Sequence, residues 1–148
     1  MELEKKGRII ALDVGTKTIG VALTDALGML AHPLCTLTRK GVQQDVTKLE
    51  ALFAEHGPVA VVVGLPYELD GTEERSARLA RQIADAITAR TSLPVHLVDE
   101  RYSSVEAERR LIEAGVSRKK RKEIIDQAAA VVILETWLSM QRIAGGEG

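Results

Sequence analysis

Aromatic side chains are scarce in this sequence: two tyrosines, one phenylalanine and one tryptophan supply 3% of 148 residues. A core must therefore be built from aliphatic residues, and any stacking on nucleic-acid bases has few side chains to draw on. Cysteine is scarcer still. The single Cys35 rules out an intramolecular disulfide and a cysteine-rich zinc site, and it fits a reducing, cytoplasmic setting. The three histidines (His32, His56, His96) are scattered, which argues against an imidazole metal cage. No apolar run approaches the roughly 20 residues of a membrane span. The N-terminus, Met1-Glu2-Leu3-Glu4-Lys5-Lys6, lacks the apolar stretch of a signal peptide, so no membrane partner is expected. An excess of one charge is missing too. Lys plus Arg total 20 against 21 Asp plus Glu, a formal net charge of −1, so whole-chain charge gives nucleic-acid binding no support.

What is present is the composition of a soluble globular chain, 45% hydrophobic and 28% charged, most simply one domain over residues 1–148. Two apolar runs, Ile9 to Val14 and Ile19 to Leu23, flank a Gly-Thr-Lys-Thr turn and predict a β-hairpin. Gly28 to Leu37 reads as a third strand, at an edge or bulged because Pro33 has no N–H. Val42, Val46, Leu49 and Phe53 recur at helical spacing, with a stop at Gly57-Pro58. Val59 to Gly64 is continuous and β-branched, as in a central strand buried on both faces. A loop from Leu65 to Gly71 leads to a second helix opened by Thr72, with an apolar stripe of Leu79, Ile83 and Ile87. Pro94 to Val98 predicts another central strand, ending at Asp99-Glu100-Arg101. Ser103 and Glu106 have capping-box spacing for a third helix that Gly115 stops. After the basic run Arg118 to Lys122, a long helix is expected from about Lys122 to Arg142, apolar almost all round in its first half. The order β-β-β-α-β-α-β-α-α predicts an α/β domain with an antiparallel hairpin region joined to parallel strands. Ligands in open α/β sheets bind at the strands' carboxyl ends.

Three acidic positions stand beside strongly apolar segments. Asp13 lies in the first strand, Asp99 and Glu100 where a buried strand ends, and Asp126 in the apolar helix. Aspartate is poor in strands and almost never buried unpaired. Carboxylates from separate elements repel one another unless a cation lies between them, and oxygen ligands of this kind suit Mg²⁺ or Mn²⁺. Each has a plainer reading. Asp13 would form a turn with the N–H groups of Gly15 and Thr16, Glu100 would pair with Arg101, and Asp126 would suit a helix N-terminus. Arg118-Lys119-Lys120-Arg121-Lys122 is the one dense charge block; such a run is usually a solvated face, but here it precedes Asp126 and suits phosphate contact. Lys17, in the hairpin turn, faces either substrate or water. Tyr67 and Tyr102 fall in the two loops at the presumed active edge, Trp137 reads as core or partner contact, and Cys35 as inert packing.

The stretches Ala-Leu-Asp-Val-Gly-Thr-Lys-Thr-Ile-Gly-Val-Ala (11–22), Val-Gly-Leu-Pro (63–66) with Asp-Gly-Thr (70–72), Asp-Glu-Arg (99–101) and Asp-Gln-Ala-Ala-Ala-Val-Val-Ile-Leu (126–134) come in one order. Together they resemble the YqgF (RuvX) proteins, bacterial members of the ribonuclease H-like superfamily related to Holliday junction resolvases. The resemblance spans nearly the whole chain. It implies a ribonuclease H-like fold, a mixed five-stranded sheet flanked by helices, and a metal-dependent nuclease. The family's acidic positions fall on Asp13, Glu100 and Asp126, with Asp99 as the neighbour that could point inward instead of Glu100. The implied cofactor is Mg²⁺ or Mn²⁺, in a two-metal site. Lys17, Arg101, Arg118, Lys119, Lys120, Arg121 and Lys122 are the expected nucleic-acid contacts. Gln127 stands where the superfamily often has a further ligand. The implied substrates are precursor 16S rRNA and branched DNA, and the sequence does not choose between them. Three other readings accompany this one. A non-catalytic RNA-binding assembly factor would keep the fold without the chemistry. A sugar kinase or actin-like ATPase would share Asp-x-Gly-Thr but need two lobes. A homodimer is compatible with the apolar surface of the long helix.

Overall fold

Alternate residues of the first strand serve two different cores, and that split organises the molecule. The computed structural model describes residues 7–66, 75–100 and 102–144. Within them β1 (Ile9–Val14) and β2 (Thr18–Thr24) form the expected hairpin, followed by β3 (Ala31–Thr38) and α1 (Val42–His56). Next come β4 (Ala60–Leu65), α2 (Arg75–Arg90), β5 (Val95–Asp99), α3 (Ser103–Glu113) and α4 (Arg118–Ala144). The five strands form one sheet in the order β3-β2-β1-β4-β5. The β1–β2 and β2–β3 pairs are antiparallel, whereas β1–β4 and β4–β5 are parallel.

Because strand side chains alternate, Ile10, Leu12 and Val14 join one core with Val61, Val63 and the buried faces of α1 and α2. Ile9 and Ala11 join the other, with Ala22, Ala60, Val62, Val98 and α4 residues Ala130, Ile133, Leu134 and Leu138. The two faces differ in bulk. On the α4 side the sheet offers Ala11, Ala22 and Ala60 among its buried residues, and a Cβ added at Gly64 would stand 2.5 Å from Ile133 Cδ1. Glycine there lets the helix lie close on the sheet.

Pro33 behaves as a proline on an edge strand should. The β2–β3 register slips between Val21, opposite Cys35, and Ala22, opposite Pro33, leaving Leu34 as an extra residue. Three expectations need correction. First, β5 is an outer strand, not a central one; Leu97 is 42% exposed, and of the strand's residues only Val98 is buried. Second, the Ser103–Glu106 capping box does not form. Tyr102 occupies the cap position without a side-chain cap, and Glu106 is drawn instead to Arg109 and Arg110. Third, the basic run is not a segment ahead of the long helix but its first turns. Ser117 caps it, since Ser117 Oγ accepts from Lys120 N–H at 3.2 Å and Ser117 O accepts from Arg121 N–H at 2.8 Å. The expected opening of α2 at Thr72, with Tyr67 and the loop between them, lies outside the described residues.

Trp137 packs against the α4-side core with its ring 5.2 Å from that of His96. Cys35 packs against the other core, and burial followed by the charge of Glu55 pushes its thiol pKa up, which leaves it protonated and unreactive. Much of the apolar surface of α4 packs against the sheet and α3, while Met140 and Ile143 near its end stay exposed. Among the described residues no helix is long and apolar enough to cross a membrane.

Candidate active site

Four strands, β1, β3, β4 and β5, run in one direction, so their carboxyl ends share one edge of the sheet. Asp13 sits there, one residue before the end of β1 and, by alternation, on the Ile9–Ala11 face that α4 covers. Directly across the ladder from it is Gly20. A Cβ at Gly20 would stand 2.0 Å from the main-chain oxygen of Asp126 and 2.9 Å from its Cβ. The missing side chain is what allows α4 to press Asp126 onto the hairpin beside Asp13. Thr18, in the same strand, donates its hydroxyl to Asp126 Oδ2 at 2.5 Å and fixes that carboxylate's orientation.

Glu100 arrives from the far side. Its N–H continues the parallel ladder by donating to Leu65 O at 2.9 Å. Its Oε2 accepts from Tyr102 N–H at 3.1 Å, and Thr136 Oγ1 of α4 lies 3.4 Å from Oε1. Alternation past Val98, which packs toward α4, turns Glu100 to that face and Asp99 to the other.

Asp13 feels the other two carboxylates. The Asp13 pKa is raised from 3.8 to about 7, first by desolvation, then by the charge of Asp126 and then by that of Glu100. Desolvation and like charge both penalise the ionised form, and a cation relieves both. Even so, among the described residues no three acidic, imidazole or thiol side chains are gathered closely enough to encage an ion. The arrangement is an electrostatic cluster, not a closed cage. Its donors are all carboxylate oxygens, which fit a hard divalent ion, and Mg²⁺ typically takes only one or two carboxylates and completes its shell with water and substrate phosphate. The donor chemistry therefore fits the ion without requiring a preformed site.

The basic residues separate by helix phase. Lys119 and Lys122 precede Asp126 by seven and four residues, so both lie within about 40° of its face at 3.6 residues per turn. Arg121 is turned toward α3, donating to Val116 O at 2.9 Å with Glu108 4.0 Å away. Lys120 pairs with Glu123 at 3.7 Å, while Arg118 is exposed. The Lys17 side chain is exposed at the hairpin tip on the carboxyl edge, and Arg101 lies outside the described residues. The sequence reading overlooked Thr18, Thr136 and Gly20. Only Gly20 carried a signal, as a glycine inside an otherwise apolar strand.

Comparison with known proteins identifies the family and the fold. The family model RuvX, described as Holliday junction resolvase, matches residues 7–140. A relative from Cereibacter sphaeroides, named "Putative pre-16S rRNA nuclease", is 45% identical over 148 residues, covering 96% of this chain and 92% of its own. A relative of the same name from Myxococcus xanthus is 44% identical over 135 residues, covering 91% of this chain and 89% of its own. Among solved structures, Thermus thermophilus RuvC in complex with a Holliday junction substrate superposes with a TM-score of 0.56 at 18% identity, covering 92% of this chain and 96% of that one. The fowlpox virus Holliday junction resolvase gives a TM-score of 0.56 at 10% identity, over 90% of this chain and 99% of that one. These last two show the shared ribonuclease H-like fold, and the family match over most of the chain makes this protein a member of the RuvX family.

Proposed function

We propose that the protein is a divalent-metal-dependent endonuclease acting on structured nucleic acid, either the precursor of 16S rRNA or branched DNA. One observation carries the reading: Asp13, Glu100 and Asp126, from three distant parts of the chain, lie close enough for the latter two to raise the pKa of the first. Perturbed titration at the carboxyl edge of an α/β sheet, where ligands of open sheets bind, makes these carboxylates functional-site candidates. The relatives' name and the family description point to the same chemistry.

In this reading Asp13, Glu100 and Asp126 hold Mg²⁺ or Mn²⁺, in a one- or two-ion arrangement. The ion would activate a water and stabilise the leaving oxygen of a phosphodiester. The chain's own part is orientation. Thr18 holds Asp126, and the Tyr102 N–H and Thr136 hold Glu100. Lys119 and Lys122, on the Asp126 face, grip the sugar–phosphate backbone next to the cut. The first turn of α4 has no acidic residue although its dipole favours one, so the cations add to an already positive end. That is a local cost to the helix, of the sort retained at binding sites. Lys17 and Arg118 extend the positive rim.

The test is cleavage of a precursor rRNA fragment and of a four-way DNA junction, with Mg²⁺ or Mn²⁺, by wild type and Asp13→Asn. Cleavage that the substitution lowers at least 100-fold supports the assignment, and the substrate cut faster identifies the preferred one. Equal cleavage by both proteins defeats it. The open arrangement of the carboxylates favours one rival, a non-catalytic RNA-binding assembly factor. Tight RNA binding without metal-dependent cleavage at any ion concentration would select that rival.

A further inference from the structure

The carboxyl edge has a second positive feature, on the sheet face opposite α4. A cleft of about 540 Å³ opens there between the hairpin turn, the β3–α1 connection and α2, lined by Thr16, Arg39, Lys40, Gly41, Arg75 and Gln82 among others. Arg39 is its fixed floor. The guanidinium is 8% exposed, donates from Nε to Asp45 Oδ2 at 2.9 Å, and donates to Gly15 O of the hairpin turn at 3.1 Å. Asp45, 1% exposed, also accepts from Lys40 N–H at 2.8 Å, so the connection is locked to the hairpin. The other two cations are free: among the described residues the side chains of Lys40 and Arg75 have no hydrogen-bond or ion-pair partner, and both residues are exposed. Among the described residues three cations of the cleft stand against one buried carboxylate, which leaves two positive charges with no described counter-charge. Like charges held together without a structural partner are a cost unless an anion meets them.

The cleft's position says which anion. Gly15 and Thr16 follow Asp13 by two and three residues, so Thr16 Cα lies within about 11 Å of Asp13 Cα. That is on the order of three nucleotide steps at a rise of 3.4 Å. The cleft is open, and among the described residues that line it none is aromatic. We infer that it takes a backbone phosphate of the same nucleic acid that the carboxylates cut, so that the strand passes over the carboxyl edge and is held on both faces of the sheet. Lys119 and Lys122 hold it on the α4 side; Lys40 and Arg75, with Thr16 and Gln82 as hydrogen-bonding partners, hold it on the α1–α2 side. This rests on the nuclease reading only for the identity of the strand.

The experiment measures binding where nothing is cut. Fluorescein-labelled four-way DNA junction and a tailed RNA hairpin are titrated in EDTA against wild type, Lys40→Ala/Arg75→Ala and Lys119→Ala/Lys122→Ala, over a range of KCl. Loss of two phosphate contacts should lower the slope of log K against log salt by about 1.4–1.8, taking 0.7–0.9 per phosphate. In the cleft variant Kd should rise about 25- to 60-fold near 0.1 M salt, with Tm unchanged. An unchanged slope and Kd in that variant overturn the proposal. The two readings fail separately. If the cleft variant shows the lowered slope while no protein cleaves either probe, the cleft stands and the nuclease assignment falls. If wild type cleaves and the slope does not move, only the cleft falls.

Discussion

Asp13 is a carboxylate whose working position costs the fold stability. Its pKa is about 7 in the folded chain against 3.8 for an unhindered aspartate. The native state therefore binds the extra proton more tightly than the unfolded chain does, and stability falls as pH rises between those two values. The full penalty, about 4 kcal/mol at roughly 1.4 kcal/mol per pK unit, is reached above pH 7. Asp13→Asn should thus raise the Tm of the metal-free protein by on the order of 5 °C or more at pH 8, while removing cleavage. The gain should shrink as pH drops toward 4, and thermal unfolding across that range checks it; a pH-independent gain would contradict the assigned cause. Divalent ions act in the opposite sense to the proton. At 100 times its Kd, Mg²⁺ or Mn²⁺ should stabilise wild type by about 2.7 kcal/mol and leave Asp13→Asn nearly unmoved. Thr18 is testable by its hydroxyl alone. Thr18→Val should weaken metal-dependent activity about 10–100-fold, as loss of a ligand-orienting hydrogen bond does. Thr18→Ser should restore it; failure of serine to rescue would mean that only packing was lost. Asp13 was legible in the sequence because a charge among Ile, Leu and Val has few explanations. Thr18 was not, since threonine is ordinary in a strand and its partner lies 108 residues away.

Among the elements, α4 depends on two glycines that belong to strands. Gly20→Ala would drive a methyl into the Asp126 main chain, which cannot move without lifting the helix. A loss of at least about 3 kcal/mol is expected, at or beyond the upper end for overpacking, together with a fall in activity. Gly64→Ala meets side-chain atoms of Ile133 and no main chain, Cδ1 nearest, so about 1–2 kcal/mol is expected, partly recovered by Ile133→Val. Chemical denaturation of the three variants checks this order, and equal losses at Gly20 and Gly64 would contradict it. Element types and their order followed from periodicity, and the β3 bulge from Pro33. The start of α4 did not, because a run of cations at a helix N-terminus opposes the dipole and hides the Ser117 cap. The placement of β5 did not either. Five apolar-looking residues do not reveal whether one neighbour or two will pair with them, and the sheet order that decides it is set by long-range packing.

At the scale of the whole molecule, the sheet separates two unequal layers. Large side chains meet α1 and α2 on one face, while alanines and glycines bring α4 close on the other. Asp13 and Glu100 lie at the carboxyl edge of the sheet, and Asp126 is pressed onto the hairpin beside Asp13. From the sequence, the family resemblance supplied the general fold and the three carboxylates. It did not supply the cleft of Arg39, Lys40 and Arg75, because those residues are separated in the chain and ordinary in type.

The 27 residues of α4 form one continuous helix bearing Lys119, Lys122, Asp126 and Thr136. Such a rod fixes distances. Lys122 precedes Asp126 by about 6 Å and Lys119 by about 10 Å along the axis, at 1.5 Å per residue. On the proposed function, grip and cut are graduated on a single ruler, and such a ruler would select the spacing of phosphates along a strand, not the order of its bases.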